Sequence, residues 1–247
     1  MITSSSISTS TDVSTTDSRT TESSSCSNSD GINTFNRSQL ITLAAVNNEQ
    51  EWLEQTNLYL NQEKIDYLSP DCFTNLTKLV NLDLSENNFS CIDVNLFQGL
   101  NNLRALYLSY NQLAILDPST FNSLSNLEEL YLNYNQMKTL DPSLFRNLTN
   151  LHYLYLNFNE LKSLHLSVFD YLTHLTMLDL SNNNLITISP TVFDSIGYSG
   201  QISIYLEGNP VASSGLSSAY FCQGNTLCTC YCSINTLNKL VPCKGKS

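Results

Sequence analysis

Basic side chains are scarce in this sequence. The 247 residues carry 11 Lys and Arg against 22 Asp and Glu, a formal net charge of −11. A surface that holds nucleic acid or an acidic membrane needs the opposite balance, so neither is expected as a partner. Glycine is also sparse, at eight residues, and none of them forms a phosphate-cradling loop. Only three histidines occur, and His152, His165 and His174 make no metal or triad pattern. No enzyme, cofactor or metal site is therefore expected. No apolar run approaches the roughly 18 to 20 residues that cross a bilayer, so the chain is expected to contain no membrane span. The N-terminal stretch MITSSSISTSTDV has neither the basic nor the apolar part of a secretory signal. Two readings stay open: a piece of a longer secreted or membrane protein, or a cytoplasmic chain with reduced thiols.

Cysteine, by contrast, is plentiful. Five of the eight lie near the C-terminus: Cys222, Cys228, Cys230, Cys232 and Cys243. Clustered cysteines fit disulfides in an oxidising compartment, and the Cys228-Thr-Cys230-Tyr-Cys232 spacing is not that of a zinc finger. Cys72 and Cys91 fall in neighbouring repeats and form a further candidate pair. Glycosylation triplets start at Asn36, Asn75, Asn88 and Asn147. These features favour an extracellular or cell-surface location.

The chain divides into four stretches. Residues 1–37 are rich in Ser and Thr and bury too little to offset their chain entropy, so disorder is expected. Residues 38–54 carry apolar positions at helical spacing and predict a capping helix that starts at Ser38. Residues 55–210 repeat themselves about seven times. Residues 211–247 form a Cys-rich C-terminal cap.

The repeat decides the fold class. Units begin at Gln55, Leu79, Leu103, Leu127, Leu151 and Leu175, each 24 residues after the last, and a shorter unit begins near Gln201. Such a period marks an α/β repeat solenoid in which each unit buries its apolar face against its neighbours. Leucine at the fourth and sixth positions, as in Leu130 and Leu132, puts two side chains on one face of a short strand. The ninth position is Asn87, Asn111, Asn135, Asn159, Asn183 and Asn209, with Glu63 in the first unit. An amide there can satisfy backbone groups where the strand ends, stacking into an asparagine ladder. The nineteenth position is always phenylalanine in the complete units, from Phe73 to Phe193, and fills the convex side.

The segment LEELYLNYNQMKTLDPSLFRNLTN, residues 127–150, resembles the typical 24-residue leucine-rich repeat of extracellular animal proteins such as variable lymphocyte receptors, Toll-type receptors and Slit-type proteins. The resemblance implies a horseshoe with a parallel β-sheet on the concave face and irregular or short helical convex segments. It also implies disulfide-bonded caps. Here the first C-terminal Cys, Cys222, stands twelve residues after Pro210, where the family places one sooner, and only Cys26 precedes the repeats.

On such a scaffold the outward strand positions carry function. They are strongly aromatic: Tyr107, Tyr131 and Tyr155 in one column, Tyr110, Tyr134 and Phe158 in another, with Glu129, Tyr153 and Asp179 beside them. Tyrosine supplies large contact area at low entropic cost, so these nine residues are the predicted partner-binding face for a protein or a glycan. The expected function is a protein-binding module of a receptor or adhesion ectodomain. A cytosolic scaffold or regulatory subunit and a structural matrix protein are the alternatives.

Overall fold

The computed structural model describes Cys26 and residues 33–196, 202–213 and 229–231. Each unit gives one three-residue strand: β2 (Asn57–Tyr59), β4 (Asn81–Asp83), β5 (Ala105–Tyr107), β6 (Glu129–Tyr131), β7 (Tyr153–Tyr155), β8 (Met177–Asp179) and β9 (Ser203–Tyr205). They pair in sequence order into one parallel sheet, which β10 (Thr229–Tyr231), from the predicted C-terminal cap, extends beyond β9. The register equals the repeat: Leu82 opposes Leu106, which opposes Leu130. At β8–β9 Leu178 still opposes Ile204, so the two extra residues of that unit are taken up outside the strands. The chain is a leucine-rich-repeat horseshoe, its core a single file of buried leucines with the phenylalanines behind them. Phe97, Phe121, Phe145, Phe169 and Phe193 stack at 6.3–6.5 Å along the convex side.

The asparagine column is buried throughout, at 4–7 % exposure from Asn87 to Asn209. Asn135 shows its work. Its Nδ2 donates to the carbonyls of Leu108 (2.9 Å) and Leu132 (3.1 Å), and its Oδ1 accepts from the Leu113 amide (3.0 Å). Each asparagine therefore reaches back to the preceding unit. The first unit has no preceding repeat to bridge, which accounts for exposed Glu63 there. A second ladder, unforeseen from the sequence, runs along the return segment. The side chains of Asn102, Asn126 and Asn150 donate to the carbonyls of Thr77, Asn101 and Ser125, and His174 Nδ1 donates to Thr149.

The N-terminal cap departs from the single helix expected over 38–54. It consists of β1 (Thr34–Phe35), paired with β3 (Tyr67–Leu68), then α1 (Arg37–Leu43) and α2 (Glu49–Leu53). Helix α1 starts at Asn36 rather than Ser38, because Asn36 and Gln39 form a reciprocal capping box. The chain leaves α1 through Ala45 at φ 54°, and the Asn48 side chain caps α2 by accepting from the Glu51 amide. Apolar spacing alone hid this second cap.

The disulfide also differs. Cys91 bonds to Cys26, with Cα atoms 6.1 Å apart, and not to Cys72. Cys72 points into the core, fully buried, with its Sγ donating to the Phe35 carbonyl at 3.2 Å. Cys91 sits half-buried five positions earlier in its own unit, so the two thiols do not face each other. Burial, reinforced by Asp71, pushes the Cys72 thiol up to about 12. The C-terminal candidates Cys222, Cys228, Cys232 and Cys243 lie outside the described residues, and of Cys230 only the backbone is described.

Candidate binding face

The strand positions that point away from the core are the concave surface, and the parallel register brings equal positions together. Asp83, Tyr107, Tyr131, Tyr155, Asp179 and Tyr205 follow one another across β4 to β9. The tyrosine rings of 107, 131 and 155 stack at 4.5 Å, within 18° of parallel. One step further along each unit, Tyr110 stacks on Tyr134 at 4.1 Å and Tyr134 on Phe158 at 4.2 Å. Tyr110 is 51 % exposed and Phe158 40 %, so the outer stack opens to solvent at its two ends, while Tyr107, Tyr131, Tyr134 and Tyr155 are half-buried. All nine predicted partner-binding residues lie on this surface.

The outer column has a property that only the backbone shows. Gln62, Glu86, Tyr110, Tyr134, Phe158 and Asn182 all have φ between 52° and 64°, and Gly208 follows at 72°. The left-handed region suits Gly and Asn, and costs an aromatic residue roughly 1 kcal/mol. The chain does end this column with Asn182 and Gly208. Aromatic residues at Tyr110, Tyr134 and Phe158 therefore stand where a more comfortable residue type was available.

Acids surround the rings. Glu129 Oε2 accepts from the Tyr131 hydroxyl at 2.9 Å. Asp83 and Asp179 each hold one oxygen on a nearby amide, that of Ser85 and Ser181, both at 2.9 Å. Burial and the hydrogen bond to Glu129 push the Tyr131 phenol well above its ordinary value, while burial and the Glu129 charge raise Tyr107. Burial is also the main cause of the raised Tyr155 phenol. Glu207 joins the group unforeseen. Its carboxyl is pushed up chiefly by burial and further by Asp179, and its Oε2 is shielded with no hydrogen-bond partner among the described residues. No ion pair with a described residue neutralises Asp83, Glu86, Glu129, Asp179 or Glu207.

The remaining candidates fall elsewhere. Asn36 and Asn75 are exposed, whereas Asn88 and Asn147 are half-buried and Asn147 Nδ2 donates to the Asn122 carbonyl at 3.0 Å. His165 Nδ1 accepts from the Ser167 amide at 3.3 Å, a turn-capping role that Asp117 and Asp141 fill in earlier units. Among the described residues no three His, Cys, Asp or Glu side chains are grouped to hold a metal ion, and no helix is long and apolar enough to cross a membrane.

The family model described as leucine rich repeat matches residues 56–113, 114–161 and 149–211, more than half of the chain. The chain belongs to the leucine-rich repeat family. Solved repeat proteins share its architecture. Toll from Drosophila, in its complex with Spatzle, is 27 % identical over 62 % of this chain, with a TM-score of 0.55. A glycosylated form of the same complex gives 25 %, 62 % and 0.57. The TLR13–ssRNA13 complex gives 25 % identity over 79 % of this chain and a TM-score of 0.63. The chain matches only 20 %, 22 % and 26 % of those respective chains, about a fifth to a quarter of their length. No curated protein matches the chain. The leucine-rich repeats are thus receptor-like in architecture.

Proposed function

We propose that this leucine-rich repeat module binds a protein partner through its concave face, as part of an extracellular or endosomal receptor or adhesion ectodomain. The observation that carries the reading is the double aromatic stack on the outward face, its outer column exposed at Tyr110 and Phe158 and with Tyr110, Tyr134 and Phe158 kept in backbone conformations unfavourable to them. Strand propensity explains a tyrosine at 131, but not one at 134, where φ is 55°. The solved relatives are named in complexes with Spatzle and with an RNA. For this chain the net charge of −11 and the carboxylates around the rings disfavour RNA. A glycan would need open ring faces, and most of those faces lie against a neighbouring ring. Catalysis has no support in the arrangement of His152, His165 and His174. The Cys26–Cys91 disulfide and the exposed asparagines that open the glycosylation triplets at Asn36 and Asn75 favour an oxidising compartment.

The test is a panel of recombinant secreted proteins and ectodomains, screened with the full chain and with the double variant Tyr131→Ala, Tyr134→Ala. A partner captured by the first and lost by the second, with far-UV circular dichroism unchanged, is the expected result. Equal capture by both would falsify the assignment of the face.

A further inference from the structure

The two stacks are closed in the middle and open at their ends. Tyr131 has a ring against each of its faces, and Tyr134 likewise. A ligand meets these residues at ring edges and hydroxyls. Tyr107 and Tyr155 each have one ring face covered by Tyr131, and their outer faces look along the column toward the next strand. The residue in register on that side is a carboxylate at both ends: Asp83 opposite Tyr107, and Asp179 opposite Tyr155. An aromatic face is the negative part of the ring, so ring and carboxylate together form a slot for a cation. No described Lys, Arg or His fills either slot. At the second slot Glu207 adds an independent sign: the backbone N–H of Asn182, beside Asp179 and Ser181, donates to the Glu207 carbonyl at 2.7 Å, and the solvent-shielded Glu207 Oε2 has no donor among the described residues.

Resting on the concave-face reading above, we propose that the partner presents two arginine side chains, one stacked on Tyr107 beside Asp83 and one stacked on Tyr155 beside Asp179 and Glu207. A guanidinium lies flat on a ring and still offers edge donors to a carboxylate, which an ammonium does not do as well. The slots are three strand spacings of roughly 4.8 Å apart, about 14 Å. In an extended peptide, residues i and i+4 point to the same side and stand about 13 Å apart. A partner strand laid along the solenoid axis thus meets both slots with arginines four residues apart.

The probe is a capped heptapeptide with arginines at its second and sixth positions and Thr and Val between them, titrated calorimetrically into the full chain. Saturable one-to-one binding is expected, at least about tenfold weaker when the arginines sit at the second and fifth positions or are replaced by lysine. Asp83→Asn and Asp179→Asn keep the oxygens that accept from the serine amides, so both variants fold with an unchanged thermal midpoint. Each lowers peptide affinity about tenfold or more. Absence of saturable binding, indifference to arginine spacing or to lysine, or unchanged affinity in both Asn variants overturns the proposal. The protein panel separates this from failure of the concave-face reading. A captured partner that needs Tyr131 and Tyr134 but ignores Asp83→Asn and Asp179→Asn removes the arginine slots alone. One that ignores all four substitutions removes both.

Discussion

Asn135 makes its contribution through polar atoms that other side chains cannot supply together. Its amide gives hydrogen to two carbonyls in two different units and takes hydrogen from a third backbone group. Replacing it with Ala strands those buried groups, each at about 1–3 kcal/mol. Asn135→Ala is expected to lower unfolding free energy by about 3 kcal/mol or more in urea titration monitored by circular dichroism. Glu63→Ala, at the same repeat position but exposed and with no preceding unit to bridge, is expected to change it by less than about 0.5 kcal/mol. Tyr134 sits at the opposite extreme. Asn at this position relieves roughly 1 kcal/mol of backbone strain while giving up two ring contacts worth about 0.5–1.5 kcal/mol each. Tyr134→Asn should therefore shift stability by no more than about 2 kcal/mol, far less than loss of a core leucine. A core-like loss of about 4 kcal/mol in the same titration would mean that the outer stack serves the fold instead of a partner.

At the scale of the strand and its neighbours, the tyrosine column couples stability to pH. Tyr107, Tyr131 and Tyr155 hold their protons more tightly when folded, Tyr131 through burial first and the bond to Glu129 second. In the unfolded chain they ionise near the ordinary phenol value of 10.0. Their contribution is fully present below that pH and is lost as pH rises through the higher folded values. Urea midpoints measured from pH 8 to 11 should fall above pH 10, and Tyr131→Phe should flatten the fall. The elements themselves were legible in proportion to their periodicity. Leu130, Leu132, Asn135 and Phe145 recur every 24 residues, so their inward or outward sense follows from the count. The cap does not recur, and Asn48, three residues before Glu51, was a capping signal masked by the apolar spacing around it. The second ladder was written in the recurring Asn102, Asn126 and Asn150, but a surface amide looks alike whether it donates to water or to a neighbouring turn. Positive φ at Tyr110, Tyr134 and Phe158 leaves no mark in residue type at all, since it contradicts what those types prefer.

The whole molecule is a stack whose turns touch only their neighbours, so its first turns need an anchor. Cys26–Cys91 closes a 65-residue separation across the N-terminal cap and the first repeats. A loop of that size constrains the unfolded chain by about 4 kcal/mol in the entropic picture. Reduction should therefore lower the thermal midpoint and unfold the N-terminal repeats first, readable as early loss of hydrogen-exchange protection around Leu58 and Leu82. Buried Cys72 should resist iodoacetamide in the native oxidised protein and become labelled once the cap opens.

The two faces of the coil are spaced differently, 4.1–4.5 Å between rings inside and 6.3–6.5 Å between rings outside. Carbon atoms in contact stand about 3.5–4.0 Å apart, so the inner rings have almost no distance left to give. The coil therefore bends in one direction only. It can flatten by parting its rings, but it cannot wind tighter, and the smallest radius of its inner face is set by tyrosine.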